Sequence, residues 1–405
     1  MKDKLDTGKS KASVIAAVDS QQENLSQLSL RIHTNPELGF QEVKAATWLT
    51  QYLENNGFSI ERGICQLPTA FRASYGRGKP TIAVLAEFDA LPGVGHACGH
   101  NLIAGSAAGA AVAARSAVDR LGGSIIVLGT PAEELHGGKI LMADRGAFKN
   151  VDIAMIVHPG NCDVATITAL ACENLNVEFS GKAAHAAAQP EAGINALEAM
   201  LLSFAAINSL RQHIRSTARI HGIITDGGKA ANIVPEHSAG TFLVRAMEDD
   251  YLDELKQKVL NCFLGASAAT GAHLQYTWDT HYATMNNNLL LAKLYTQNMQ
   301  SLGRKVMPAD PDRAFGSTDM GNVSHLVPSI HPHVAIADKG VLIHSPQFAQ
   351  AAASEKGIQG MLDAAKALAM TVVDLLADPE QLARIKEEFH SQSENATFPR
   401  SGEEG

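Results

Sequence analysis

Cysteine is scarce in this chain and odd in number. The five thiols, Cys65, Cys98, Cys162, Cys172 and Cys262, are scattered, so no disulfide framework is expected and a reducing, cytoplasmic setting is. Long hydrophobic runs are also missing. The longest apolar stretch, residues 102–114, is mostly Ala and Gly and too short to span a bilayer. Residues 1–19 are polar and mixed in charge, without the apolar core of a signal peptide. There is no basic excess: 33 Lys and Arg face 42 Asp and Glu, for a net charge of −9. No basic stripe is visible, which argues against nucleic acid or an anionic membrane as partner. Internal repeats and low-complexity tracts are absent. What remains is an ordinary globular composition, 45% apolar and 19% charged, at 405 residues. That length favours two domains over one core.

The pattern along the chain supports two domains. Residues 24–55 read as helical, broken at Pro36-Glu37-Leu38-Gly39. Three continuous apolar runs, 81–86, 124–129 and 151–157, read as buried parallel strands, with helices at 101–120 and from 138 to 145. From 174 to 179 the pattern alternates, as in a sheet with one wet face. The order from there is strand 174–179, helix 193–215, strands 219–225 and 238–245, helix 249–264, strand 273–278. That is the ferredoxin-like β-α-β-β-α-β unit. After residue 288 a helix (289–302), a strand (333–337) and a helix (351–376) return to the first pattern. The expected fold is therefore α/β. A mainly parallel sheet flanked by helices, from residues 20–172 and 285–380, carries an inserted α+β domain at 173–284. Residues 391–405 are expected to be a disordered tail.

Chemistry gathers where the three buried strands end, the edge at which open α/β sheets bind ligands. The first is followed by Glu87, Asp89 and the heptad Gly95-His-Ala-Cys98-Gly-His100-Asn101. The second is followed by Pro131-Ala-Glu133-Glu134-Leu-His136-Gly-Gly138, and the third by His158. Thiolate, imidazole and carboxylate suit Zn(II), and Mn(II) or Co(II) when the last two dominate. A small buried hydrophobe is the alternative for Cys98 alone, and a solvated acidic loop for the glutamate pair. With neighbouring carboxylates, one can bind metal while the other handles the proton of the attacking water. His158 and His344 each stand alone in sequence. His96, His136, His325, His331 and His333 cannot be ranked against them by composition.

These segments resemble a known family. Gly-His-Ala-Cys-Gly-His-Asn, Thr-Pro-Ala-Glu-Glu with Gly-Gly-Lys139, Val-His158-Pro, Ser-Gly-Lys-Ala-Ala-His185-Ala and Ile-His344-Ser-Pro are similar to the dinuclear metal amidohydrolases of metallopeptidase family 20. The similarity runs from His33 to about residue 376. The Cys-Gly-His-Asn loop and Gly316-Ser317-Thr318-Asp319-Met-Gly-Asn-Val-Ser324 point toward its dipeptidase and aminobenzoyl-glutamate hydrolase members. The resemblance implies two divalent ions, Zn(II) or Mn(II), with Co(II) as a third option. Cys98 would bridge them, and His100, Glu134, His158 and His344 would complete the sites. Glu133 would be the general base and acid, and Asp89 would orient a ligand. It also implies a lid and homodimerisation role for 173–284, with His185 stabilising an oxyanion. Asn232, Arg245, Ser317 and Thr318 would contact substrate. The expected substrate is a small amide with a free carboxylate, an N-acyl amino acid or short dipeptide. Asn101, Glu87-Phe-Asp89 and Leu135-His136 depart from the commoner family pattern and bear on substrate preference. Two readings compete. One is a metal-stabilised binding protein without catalysis. The other is a cysteine hydrolase using Cys98 and His100, poorly placed for thiol–imidazole transfer at i and i+2.

Overall fold

A computed structural model describes residues 7–308 and 316–395. The strands, in chain order, are β1 (Ser59–Arg62), β2 (Phe71–Arg77), β3 (Thr81–Ala86), β4 (Gly123–Gly129), β5 (Ile153–Met155), β6 (His158–Gly160), β7 (Ala171–Ser180), β8 (Arg219–Asp226), β9 (His237–Ala246), β10 (His273–Trp278), β11 (Ser329–Ile330) and β12 (His333–Ala335). The chain divides into two compact units, at residues 168/169 and 284/285.

The first unit holds a six-stranded sheet in the order β1-β2-β4-β3-β5-β11. β3 pairs in parallel with β4 and β5, β11 continues parallel to β5, and β1 and β2 add an antiparallel edge. Every residue of β3 and β4 is buried, as their unbroken apolar runs require of strands covered on both faces. The helix His100–Leu121 packs against the helix Glu355–Ala377 at close range because its facing residues are small. A Cβ at Gly105 would come within 2.3 Å of Met361 Sδ, and one at Gly109 within 2.8 Å of Leu25. A side chain at Gly105 would crowd Met361 on the facing helix, and one at Gly109 would crowd Leu25 on the helix Gln22–His33.

The second unit is a four-stranded antiparallel sheet in the order β10-β7-β9-β8. The helices Ala196–Leu210 and Asp249–Thr270 pack against it. β7 and β9 alternate buried and less buried residues along most of their length. Leu175, Val177, Phe179, Phe242 and Val244 face a core with Leu252, Leu255 and Phe263. Burial of such side chains contributes roughly 1.5–3 kcal/mol each.

Several expected boundaries move. The third apolar run ends as a strand at Met155, and His158 begins a separate strand, β6, parallel to β12 in a two-stranded sheet. The expected helix 351–376 is two helices, Pro346–Ala352 and Glu355–Ala377, because Ser354 accepts from Gly357 N as an N-cap. Residues 391–395 end the helix Pro379–Asn395 rather than belonging to a disordered tail, and 396–405 lie outside the described residues. At the other end, the helix Thr7–Ser20 buries Val14 and Val18 in the first unit's core. No helix among the described residues is long and apolar enough to cross a membrane.

Candidate metal centre

The Cys98 loop is built on glycine. Gly99 takes φ 81°, left-handed, as the residue before the helix His100–Leu121, and a Cβ there would sit 2.8 Å from Pro159 Cγ. The turn presses Cys98 toward β6, and Cys98 Sγ lies 3.3 Å from His158 Nε2. His344 is held to the same loop, its N–H donating to Ala97 O at 2.9 Å. Its Nε2 is 3.5 Å from Cys98 Sγ and 3.4 Å from Glu134 Oε2.

Ring protonation follows from the acceptors. His158 Nδ1 lies 2.6 Å from Pro159 O, a carbonyl that can only accept, so Nδ1 carries the hydrogen and Nε2 presents its lone pair to the thiol. His100 Nδ1 likewise donates to Asp89, to O at 3.0 Å and Oδ1 at 2.8 Å. Its Nε2 looks toward Glu87 Oε2 at 3.4 Å and Glu134 Oε1 at 3.7 Å. Asp89 serves twice, since its Oδ2 also accepts from Glu134 N at 3.0 Å. One carboxylate thus sets both an imidazole and the loop that bears the glutamate pair.

Glu133 and Glu134 open a short helical turn after Ala132, which is left-handed at φ 58°. Buried Glu42 supports that backbone by accepting from Ala132 N at 2.8 Å, and Thr69 donates to its other oxygen at 2.9 Å. Burial pushes the Glu42 carboxyl up to about 7. On the far side of the turn, a Cβ on Gly138 would fall 1.8 Å from Pro131 O.

The ligand-type atoms of Cys98, His100 and His158 lie within 4.8 Å of one another, and so do those of Cys98, Glu134 and His344. The two triads share the thiol. His100, Glu133 and Glu134 form a third such group. His100 Nε2 and Glu134 Oε1 are buried without a hydrogen-bond partner. Leaving such atoms unmatched costs about 1–3 kcal/mol each, which coordination of a cation would remove. The electrostatics agree. Burial alone would lower His100, but Asp89 and then Cys98 override it and hold the ring well above the ordinary range, so the pocket favours a positive charge. Burial takes His158 down to about 4, which keeps it a neutral donor. The donor set and its unmatched atoms fit a pair of borderline divalent cations. Burial, and next the Glu134 carboxylate, push the Cys98 thiol well up. A free nucleophilic thiolate is disfavoured there, which argues against the cysteine-hydrolase alternative.

The other candidates are not among these donor groups. His185, Asn232 and Arg245 belong to the second unit. His185 is exposed, and its Nδ1 accepts from Ala187 N and Ala188 N. Ser317 is half-buried. Thr318 is buried, with its hydroxyl taken by Met320 N. His331 and His333 ring His158 at centroid distances of 5.5 and 5.2 Å, and His136 stacks on Phe40.

Lys139 and Asp319 stand inside the family-like segments of the sequence, which assign a role to neither. Both are fully buried, as is Glu87, and Lys139 Nζ bridges Glu87 Oε1 at 2.5 Å and Asp319 Oδ1 at 2.7 Å. The carboxylates of Glu87, Glu133 and Asp319 also fall within 4.8 Å of one another. That group already holds an ammonium and is no cation site. Lysine directly after two glycines in a buried loop was the available signal. Glu42 had none.

Comparison with known proteins decides the family. The family description "Peptidase family M20/M25/M40" matches residues 83–367. This chain belongs to that family. It is a metal-dependent amide hydrolase, and the non-catalytic alternative gives way. Mouse Xaa-Arg dipeptidase is 38% identical over 92% of this chain and 90% of its own length. One of the subunits of Escherichia coli p-aminobenzoyl-glutamate hydrolase is 29% identical over 94% of this chain and 95% of its own length. Among solved structures, a Bacillus subtilis dinuclear metal binding peptidase of the M20 family matches with TM-score 0.69 at 20% identity, over 88% of this chain and 99% of that one. The aminobenzoyl-glutamate utilization protein of Klebsiella pneumoniae matches with TM-score 0.71 at 18%, over 88% and 97%. These likenesses carry the α/β architecture with its second, smaller domain into the M20 family.

Proposed function

We propose that this M20 enzyme hydrolyses short dipeptides or N-acyl amino acids with a free carboxylate, using Glu133 as general base and acid. Cys98, His100, Glu134, His158 and His344 are the proposed holders of two divalent cations, Zn(II) or Mn(II), with Cys98 common to both. The observation that carries this reading is the pair of donor triads sharing one thiol, beside buried donor atoms without partners. Bound there, the cations supply Lewis acidity for the scissile carbonyl and acidify the attacking water.

The residues do the rest. Glu133 keeps partial solvent access, yet burial of its carboxyl and then the Glu87 and Glu134 carboxylates push it well above the ordinary range. A carboxylate so raised takes a proton from water readily and can return it to the leaving amine. Asp89 accepts the His100 Nδ1–H, so Nε2 is the nitrogen that would face a cation once its own proton is released. The second unit is assigned the lid and homodimer role. Because His185 Nδ1 is occupied by backbone N–H groups, Nε2 carries its hydrogen and can donate to the developing oxyanion. Asn232, Arg245, Ser317 and Thr318 are assigned to the substrate. Dipeptides are favoured over aminobenzoyl-glutamate by the higher identity to the dipeptidase.

The test is a panel that varies the acyl and amine sides separately, run on stripped enzyme and on enzyme reloaded with Zn(II) or Mn(II). Stripping should abolish hydrolysis and reloading restore it. Glu133→Ala should keep its metal and lose turnover. A metal-loaded Glu133→Ala enzyme at the wild-type rate would overturn the mechanism.

A further inference from the structure

Lys139 and Asp319 belong to the cluster beside the proposed base, and neither has a place in the mechanism above. Lys139 follows the Gly137-Gly138 turn, shortly after the Glu133-Glu134 turn. Its grip on Asp319 is double: Nζ meets Oδ1 at 2.7 Å, and the backbone N–H donates to Oδ2 at 2.9 Å. Glu87 closes the other side of the ammonium at 2.5 Å and turns its second oxygen toward His100 Nε2 at 3.4 Å. Asp319 itself begins the helix Met320–Ser324, which packs on the helix Gly138–Asp144.

Burial of a carboxylate without a counter-charge is costly, and burial of three in one place more so. Glu87, Asp319 and Glu133 converge within 4.8 Å, and Lys139 Nζ is the cation that the geometry places among them. Without it, Glu87 and Asp319, both beside Glu133, would lose the ammonium they share. An ammonium has three donors, and two of them are spent on Glu87 and Asp319. The ammonium therefore cannot wander.

We infer that Lys139 is a positioning residue for hydrolysis: clamped between Glu87 and Asp319, its ammonium fixes the carboxylate cluster that sets where Glu133 points. It acts through Glu133, so the inference rests on the proposed role of that residue. It concerns the kcat of the reaction rather than cation affinity, because the ammonium is spent on Glu87 and Asp319, neither of which is among the five proposed ligands.

The experiment compares Lys139→Met, Asp319→Asn and the double variant K139M/D319N, each with metal content, melting temperature and kinetics measured on the loaded enzyme. The double variant removes one charge of each sign and guards against a single variant that fails to fold. Expected results are wild-type metal content, nearly unchanged KM and kcat lower by about 100-fold, the scale on which a misplaced catalytic group costs rate. Lys139 and Asp319 act as a unit, so the double variant should lose no more than the worse single one. A purely structural role would instead lower the melting temperature and the active fraction, with kcat per folded, metal-loaded molecule intact. Wild-type kcat in folded, metal-loaded K139M/D319N would overturn the inference. Glu133→Ala, run alongside, separates the two ideas: if it is active, the base assignment fails, and if it is dead while K139M/D319N turns over normally, only the role of Lys139 fails.

Discussion

Cys98 Sγ lies 3.3 Å from His158 Nε2, and the neutral ring's one N–H is committed on the opposite side, to Pro159 O. The thiol therefore meets a lone pair. Since burial also holds that thiol protonated near neutral pH, loading a cation should release its proton. Titrating stripped enzyme with Zn(II) in weak buffer should acidify the solution, and Cys98→Ser should release less. Equal release from both proteins would remove the thiol from the centre.

Asp89 holds His100 at 2.8 Å and Glu134 N at 3.0 Å. Asp89→Ala frees both, and cation affinity should fall by about 10–100-fold, as for other residues that orient ligands. Competition with a chromophoric chelator measures this. Unchanged affinity would show that His100 and Glu134 are held by something else.

Gly138→Ala places a methyl 1.8 Å from Pro131 O by ideal geometry, and backbone must yield. The turn carrying Glu133 and Glu134 is the part that moves. Expected effects are a loss of roughly 1–3 kcal/mol in stability, typical of overpacking, and a lower kcat at full metal load. Thermal melts and steady-state rates check both.

The second unit contains a pH-sensitive ion cluster. His281 Nε2 meets Asp249 Oδ1 at 2.9 Å and Nδ1 meets Glu173 Oε2 at 3.4 Å. Burial opposes the charge, but these partners raise the ring to about 9. The folded value exceeds the unfolded one, so the stabilisation is complete below about pH 6.5 and fades as pH rises through 9, for on the order of 3 kcal/mol in total. Denaturant melts from about pH 6 to 10, which bracket both values, should show that decline, and His281→Gln should flatten it. A variant whose pH dependence matches wild type would refute the assignment.

Much of this was legible in sequence, for physical reasons. β3 and β10 were read with their observed bounds, because one is an unbroken apolar run and the other sits between clear breaks. Chain order exposed the heptad and the glutamate pair, since ligands crowded into a few residues leave a local signal. His158 was seen but placed on the wrong element. The apolar run to Val157 hides the end of β5 at Met155, and Pro159 lacks the N–H a central strand needs, which suits the short β6 instead. Lys139, Asp319 and Glu42 were missed because their meaning is tertiary. Lys139 and Asp319 are 180 residues apart, and no local pattern announces such a pair.

Cys98 and His344 are separated by 246 residues, with the whole second unit between them. A ribosome thus releases the heptad long before the last donor emerges. If the cations are held as proposed, four of the five donors, Cys98, His100, Glu134 and His158, would be made before the fifth. Capture of the full set ties the early part of the chain to its last quarter, so the cations would close a very long loop and make metal supply a late step of biogenesis as well as a requirement of turnover.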